Sequence, residues 1–357
     1  MTKLEMIALE DRCTPATITV TNLLDGTATG DGVSLWEAVL SIMKGSKQND
    51  DVVVSTAYGS NDTIVFDAKL AGKTIPVDVA DPASDFGPSA FAILKTVTIR
   101  GDATQGMTIQ RNAQVTSTSN LRLFNVLPTG TLTLQNLTLQ DGRARGGDGA
   151  SGASGSGGAA GMGGAIFNRG TVSMSAVTLS GNQAIGGNGT VTVARADNGL
   201  GGGGGVGEDG TILNGGDGGA PNGGTRNKAA GFGGGGASGG GNGGFGGGGG
   251  AGAGAASGTG GYGGGGGATY SYSGPISPSV FAGGNGVPFG GGGGAAMGGA
   301  VFNAGGTTNL TNVTFSGNST QSGNGGVGAV TAKSGTALGA ALYNLNGSVT
   351  SINSTFY

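Results

Sequence analysis

The side chains that could do chemistry are mostly acids, and they lie in the first third of the chain. They are Asp62, Asp67, Asp78, Asp81, Asp85 and Asp102. A polysaccharide hydrolase needs two or three carboxylates that converge on one face, as acid and as base or nucleophile. Asp81 and Asp85 are near in sequence, but they flank Pro82 in a loop-like stretch. We interpret these acids as solvated turn residues and expect no catalytic residue among them.

The chain offers few residues for histidine or cysteine catalysis, for nucleic-acid binding or for metal binding. The chain has no histidine, the commonest general base and metal ligand, and we expect its single cysteine, Cys13, to be inert. The net charge is −3 and no basic stripe suits a nucleic acid. Residues 204–209 match the start of a calcium-binding nonapeptide, but one copy lacks the consecutive ligands such sites need, and Ile212 falls one place late. We therefore expect no cofactor and no metal site.

Four segments of the chain can be aligned with one another, starting at residues 123, 166, 301 and 342. Each begins with an apolar residue, an aromatic residue and an asparagine, followed by a turn and two short runs of alternating Thr, Val, Leu and Ser. Alternation at period two with β-branched residues predicts strands. One unit cannot bury its own apolar side, so units must stack in parallel at about 4.8 Å per unit. The sequence therefore predicts an all-β fold, a parallel β-helix or solenoid.

The alignment depends on four aromatic–asparagine pairs. They are Phe124 and Asn125, Phe167 and Asn168, Phe302 and Asn303, and Tyr343 and Asn344. We expect the rings to stack in one ladder. We expect the asparagines at one corner, where Asn tolerates left-handed backbone geometry and stacked amides bond along the axis. The same alignment places Leu134, Val172 and Val349 in one inward ladder.

The N-terminal third fits this plan less regularly. Residues 17–21, 63–66 and 97–99 are typical of strands, and residues 33–43 carry the one good helical pattern. Ser34 stands at the N-cap of that helix and Glu37 at its capping-box position. We expect this short helix to cover the exposed end of the stack, with Trp36 packed on the first coil.

Glycine-rich stretches interrupt the repeats at one point of the unit. The longest spans 186–294, and shorter ones span 146–161 and 319–338. Because all follow the closing turn, we expect them on one side of the stack, the side that repeat proteins often use for binding. Flexible coil or loose extended packing is the expected conformation, with rigid left-handed polyglycine helices as the alternative. The aromatic residues of the long stretch are either contact points or isolated surface residues: Phe232, Phe245, Tyr262, Tyr270, Tyr272, Phe281 and Phe289.

The repeats resemble those of polymorphic outer membrane proteins, which carry Gly-Gly-Ala-aliphatic and Phe-x-x-Asn motifs. The first motif reads GGAI at 163–166 and GGAV at 298–301, with GAAL at 339–342 as a departure. The second reads FSGN at 315–318, with LSGN at 179–182 as a variant. The opening is similar to that of certain exported bacterial β-helix proteins, through LEDR at 9–12, TPAT at 14–17, SLWEAV at 34–39 and DTIVF at 62–66. The resemblance implies a right-handed β-helix at the cell surface, with an adhesive or structural role.

The expected organisation follows from these patterns. Residues 1–60 form a lead-in and N-terminal cap, 61–185 form coils, 186–294 are a glycine-rich insertion, and 295–357 form further coils. The last coil looks incomplete, which suggests a fragment or a truncated reading frame.

The expected function is non-catalytic. We expect an extracellular or cell-surface protein, associated with an outer membrane, although no signal peptide and no transmembrane segment are visible. It would bind polysaccharide or a cell-surface protein through the insertion side. Two alternatives remain open: a carbohydrate-active β-helix enzyme, either a lyase or a hydrolase, and an ice- or mineral-binding surface. Thr is frequent enough for the latter, but the positions around Thr133, Ser173 and Thr308 are not strictly repeated in the alignment.

Overall fold

The computed structural model describes residues 15–54, 56–58, 61–115, 120–191, 200–211, 217–225, 228–252, 256–328 and 330–357. Short strands dominate these ranges, and the strand pairs of the sheets run parallel. The fold is therefore all-β, as predicted. Within these ranges no helix is long and apolar enough to cross a membrane.

One α-helix precedes most of the strands. Helix α1 (Leu35–Lys44) follows strand β1 (Thr17–Val20). The Ser34 hydroxyl accepts a hydrogen bond from the Glu37 N–H at 3.1 Å, and the Glu37 carboxylate accepts one from the Ser34 N–H at 2.8 Å. The predicted helix and its capping box are thus confirmed. Trp36 packs against the hydrophobic core, as expected.

A central sheet runs through all the repeat units. Its main path is β1, β2 (Asp62–Phe66), β5 (Thr96–Arg100), β8 (Thr131–Gln140), β12 (Thr171–Ser180), β18 (Thr307–Ser316) and β22 (Ser348–Ile352). The second halves of the long strands also pair with β6 (Met107–Arg111), which pairs with β3 (Thr74–Val77), and with β23 (Thr355–Phe356). The long strands bend at Asn136, Ala176 and Asn312, where φ is 53°, 52° and 54°. Each long strand therefore has two outward faces that meet at the bend.

Smaller sheets complete each unit. The second sheet contains β4 (Ser89–Ile93), β7 (Arg122–Val126), β11 (Ile166–Asn168), β17 (Val301–Ala304) and β21 (Leu342–Leu345). The third contains β9 (Arg143–Arg145), β13 (Gln183–Ile185) and β19 (Ser319–Gln321). The fourth contains β10 (Gly161–Met162), β16 (Ala296–Met297) and β20 (Ala337–Leu338), and a separate pair joins β14 (Gly260–Tyr262) to β15 (Ser279–Phe281). Successive units pair strand for strand, so the inner units bury their apolar side against their neighbours, whereas Ile352 and Phe356 of the last unit stay about half exposed.

The inward ladders differ from the alignment at one position. Val172 pairs with Val349 through Thr308, but Leu134 lies two residues further along its strand, opposite Met174. The predicted ladder of Leu134 with the two valines is therefore wrong. Leu134 remains fully buried in the same core, because a shift of two residues keeps a side chain on the same face.

The aromatic ladder also differs at the first repeat. Phe167, Phe302 and Tyr343 are in register, as predicted, but Phe124 pairs with Ile166 and Asn125 pairs with Phe167. Successive strand residues point to opposite faces, so this one-residue shift moves Phe124 to another side of the sheet. Its ring packs in the interior, 5.3 Å from the ring of Phe91. The expectation for Phe124 and Asn125 is wrong.

Three of the four asparagines form the expected amide ladder. The Asn168 Nδ2 donates to the Asn303 Oδ1 at 2.8 Å, and the Asn303 Nδ2 donates to the Asn344 Oδ1 at 2.7 Å. These asparagines lie inside strands; the long strands have their left-handed asparagines at Asn136 and Asn312, at the bend. The amide ladder thus forms without the left-handed backbone conformation that we expected for these asparagines.

Candidate functional site

The glycine-rich excursions leave and return at the same edge of every unit. They follow β9, β13 and β19 of the third sheet and re-enter at β10, β16 and β20 of the fourth sheet. The prediction that the insertions share one side is therefore confirmed. Hydrogen bonds also join the excursions directly, for example from the Gly158 N–H to the Gly292 carbonyl at 3.0 Å.

The described residues of the long insertion form a regular bundle of extended segments. Every third N–H of segment 246–252 donates to the same neighbouring segment. The N–H groups of Gly246, Gly249 and Gly252 donate to the carbonyls of Tyr262, Gly265 and Ala268. Those of Gly248 and Ala251 donate to Gly204 and Gly201, and those of Gly247 and Gly250 donate to Gly244 and Gly241. A three-residue period with bonds only to neighbours is that of extended left-handed helices. The alternative of packed polyglycine helices is therefore the correct one here, and the expectation of coil is wrong.

Many positions of this packing admit only glycine. A Cβ atom on Gly248 would lie 2.0 Å from the Gly157 carbonyl oxygen, and one on Gly265 would lie 2.0 Å from the Gly292 carbonyl oxygen. The close approach lets each buried N–H reach a carbonyl of a neighbour, which offsets the entropy lost on ordering so flexible a chain. The bundle, which we name the glycine plate, consists mostly of glycine and is held by backbone hydrogen bonds.

Two rows of aromatic rings join this plate to the repeat stack. We name them the aromatic seam: Phe86, Phe167, Phe302 and Tyr343 on the stack, and Phe232, Phe245, Tyr262 and Phe281 on the insertion. Within each row the ring centroids are 4.0 to 5.5 Å apart. Phe86 takes the place in the ladder that we had assigned to Phe124, and its ring lies 4.8 Å from that of Phe232. Four of the insertion aromatics are thus internal contact points.

A buried arginine at the seam escaped the sequence analysis. Arg122 donates to the carbonyls of Phe86, Met162 and Gly163 at 2.7, 2.9 and 2.8 Å, and to the Ser89 hydroxyl at 2.8 Å. Its guanidinium carbon lies 5.4 Å from the ring centroid of Phe167. Burial, reinforced by a neighbouring arginine charge, lowers the pKa of Arg122 to about 9. A lone arginine has no sequence pattern that reveals such a role.

A second arginine ties the seam to an acid. The Arg169 guanidinium lies 2.5 Å from the Asp85 carboxylate and 4.9 Å from the ring centroid of Phe232. Burial alone would raise the pKa of Asp85, but hydrogen bonds from Arg169 and Asn125, together with the arginine charge, lower it. Asp85 therefore forms an ion pair with Arg169, whose guanidinium packs on the seam residue Phe232.

The two remaining insertion tyrosines are exposed, and both pack against the half-buried Phe289. We name Tyr270, Tyr272 and Phe289 the outer aromatic cluster. Tyr272 is 84% exposed and Tyr270 is 49% exposed. Their ring centroids lie 4.7 and 5.7 Å from that of Phe289, with interplanar angles of 62° and 79°. Such edge-to-face packing holds the rings in place while their faces stay open to a ligand.

The other candidate acids of the N-terminal third accept hydrogen bonds from nearby backbone N–H groups and from an asparagine side chain. The Asp62 carboxylate accepts from the Ala16 N–H at 2.7 Å, and the Asp81 carboxylate accepts from the Ala92 N–H at 3.0 Å. Both acids are buried, which corrects their interpretation as solvated. Asp67 accepts from the Lys69 N–H, and Asp102 accepts from the N–H groups of Thr104 and Gln105. Asp78 accepts from the Asn112 side-chain amide.

One group of acids in the described ranges has the spacing of a cation site. Carboxylate oxygens of Asp31, Glu37 and Asp51 lie within 4.8 Å of one another. Glu37 and Asp51 already accept backbone hydrogen bonds, from Ser34 and from Gly30. In the nonapeptide match at 204–209, Glu208 accepts from the Ala220 N–H and Asp209 from the Asp148 N–H. Cys13 and Ile212 lie outside the described residues.

Comparisons of the chain with protein-family models, with curated proteins and with solved structures found no match.

Proposed function

We propose that the chain is a right-handed parallel β-helix of the cell exterior that binds polysaccharide without cleaving it. The parallel pairing of successive units supports the architecture. Crossover connections between parallel strands of one sheet are right-handed in about 98% of cases, which supports the handedness. The GGAI and FSGN motifs support a place at the cell surface.

The outer aromatic cluster carries the binding proposal. Aromatic rings give sugar rings an apolar surface to stack on, and the two tyrosine hydroxyls can bond to sugar hydroxyls. The cluster stands on a hydrogen-bonded plate, where the Phe289 N–H donates to the Thr269 carbonyl at 3.0 Å. A rigid support reduces the entropy lost on binding. Contiguous exposed aromatics are typical of an interaction site.

The carbohydrate-active enzyme remains the competing proposal, and product formation separates the two. Asp81 and Asp85 lie four positions apart; Asp81 accepts from the Ala92 N–H of β4, and Asp85 pairs with Arg169. This engagement supports a structural role for both. An enzyme would release sugars from the polymer that it binds, whereas an adhesive protein would only be retained.

The test uses the full chain on insoluble cell-surface and plant polysaccharides, with retention and released sugars measured together. We expect retention on at least one polymer without released sugars. The variant Tyr272→Ala should weaken the affinity at least tenfold, which corresponds to about 1.4 kcal/mol. Tyr357→Ala is the matched control, because Tyr357 is 82% exposed but lies outside the insertion. Sugar release, or equal retention of Y272A and Y357A, would overturn the proposal.

A further inference from the structure

Two rows of small polar side chains lie in register on one outward face of the central sheet. This face is formed by the first halves of the long strands, before the bend, and by the strands that pair with them. The first row is Thr96, Thr131, Thr171, Thr307 and Ser348. The second row is Thr17, Thr63, Thr98, Thr133, Ser173, Asn309 and Thr350. We name these two rows the threonine face. No member is charged and none is aromatic.

The structural register explains why the rows looked irregular in the sequence. The alignment placed Thr308 with Thr133 and Ser173, but Thr308 is fully buried and pairs with Val172. Asn309 takes its place on the outward side, where its Nδ2 lies 3.3 Å from the Ser173 hydroxyl. The outward positions of these two rows then contain only Thr, Ser and Asn. The next outward positions along the strands are Val65, Arg100, Gln135, Ser175, Thr311 and Ile352.

The threonine face has the geometry of a two-dimensional lattice. Neighbours within a row are about 4.8 Å apart, because adjacent parallel strands have that spacing. The two rows are separated by two residues along each strand, or about 6.6 Å. Threonine is stiff at χ1, so its hydroxyl and methyl groups hold their positions. The array is therefore ordered before any ligand arrives.

The face is on the sheet that the insertions leave open. The excursions begin and end at the third and fourth sheets, whereas both rows lie on the central sheet. Thr131, Thr133 and Thr171 are each partly exposed, as expected for side chains that shield one another within a row.

The chemistry of the face selects one kind of partner. An ionic mineral would require carboxylates, and a polysaccharide chain is best bound by aromatic rings; the two rows contain neither. Regularly spaced hydroxyl and methyl groups suit a neutral lattice of hydrogen-bonding molecules. We propose that the threonine face binds ice, a function beyond the proposed polysaccharide binding. Many weak contacts on a rigid array add up only if all of them engage together.

The test measures the partition of the fluorescently labelled full chain into slowly growing polycrystalline ice. We expect the wild-type chain to be enriched in the ice. Thr133→Tyr lies at the centre of the face and should lower the enrichment at least tenfold, because a protruding ring lifts the face from the lattice. Thr171→Tyr is a second variant in the other row, and circular dichroism checks that each variant is folded. Gln183→Tyr is the control, because Gln183 is exposed on β13 of the third sheet.

Two results would overturn the proposal. The first is exclusion of the wild-type chain from ice to the same extent as an unrelated soluble protein. The second is equal enrichment of folded T133Y, T171Y and Q183Y. Retention of T133Y on polysaccharide is measured in parallel, so failure of this proposal is distinguishable from failure of the proposed adhesive function.

Discussion

The hydroxyl oxygens of Tyr262 and Tyr343 lie 2.9 Å apart, although 81 positions separate the two residues in the chain. Tyr262 belongs to the insertion and Tyr343 to the last repeat unit, so this hydrogen bond joins the glycine plate to the stack. Burial, together with this bond, raises the pKa of Tyr262 above its ordinary value. At this pair the two rows of the aromatic seam meet through polar atoms.

The first prediction concerns the coupling between these two tyrosines. Tyr262→Phe and Tyr343→Phe should each lower the free energy of unfolding by about 1 kcal/mol, the usual net worth of one hydrogen bond. The double variant should lose less than the sum of the two, because one bond is lost only once. Denaturant titration measures all four proteins, with Tyr270→Phe as the exposed control. Strict additivity would show that the bond does not form.

The second prediction concerns the buried arginine. Arg122→Met removes the arginine donor from the carbonyls of Phe86, Met162 and Gly163, at about 1–3 kcal/mol for each group left unsatisfied, while the Ser89 hydroxyl keeps its bonds to Ser84 and Gly87. We expect a loss of at least about 2 kcal/mol in the free energy of unfolding, since apolar packing of the methionine offsets part of this cost. Arg122→Lys should not restore the loss, because an ammonium cannot reproduce the planar fork.

The control for this prediction is Arg100→Met on the exposed end of β5. A change within about 0.5 kcal/mol is expected there. An Arg122→Met protein as stable as Arg100→Met would contradict the role assigned to Arg122.

The third prediction concerns the glycine plate. Gly248→Ala places a Cβ atom 2.0 Å from the Gly157 carbonyl oxygen, so neighbouring segments must move apart. Overpacking of this kind costs about 1–3 kcal/mol. Gly305→Asn is the control, because nothing lies within 4 Å of its Cβ position and asparagine tolerates its left-handed φ of 78°. Thermal melts should rank G248A clearly below G305N; the reverse order would argue against tight packing of the plate.

The fourth prediction concerns acid. The pKa of Asp85 is lowered in the folded chain from an ordinary value of 3.8, so its ion pair with Arg169 contributes stability above about that pH. This contribution is lost as the pH falls through the lowered pKa, when the folded state must also take up the proton. Asp85→Asn should therefore flatten the decline of stability below pH 3.8. Unfolding curves from pH 6 to pH 2 test this, and parallel declines for both proteins would contradict it.

Local patterns made part of this fold predictable. Ser34 and Glu37 predicted the helix start because a capping box involves only four consecutive residues. The common edge of the excursions followed from where length varies between units. The register at Phe124 was not predictable, because Phe86, from a different loop, fills its place in the ladder.

The order of the glycine plate and the rows of the threonine face depend on distant partners. Gly248 bonds to Gly204, and Ala251 to Gly201, in a segment more than 40 residues earlier. Composition alone favours coil for such a segment, since the neighbours that satisfy its backbone cannot be identified from the sequence. Likewise, a shift of one residue in the register of β18 would exchange the faces on which Thr308 and Asn309 lie. Only the pairing of β18 with β12 fixes this register.

The most direct test is hydrogen–deuterium exchange of the full chain, read by mass spectrometry, because both the plate and its binding cluster require an ordered insertion. The backbone amides of 246–252 and 261–267 donate to neighbouring segments and should exchange as slowly as those of β12. Exchange of these peptides at the rate of an unstructured chain, while β12 stays protected, would contradict the account.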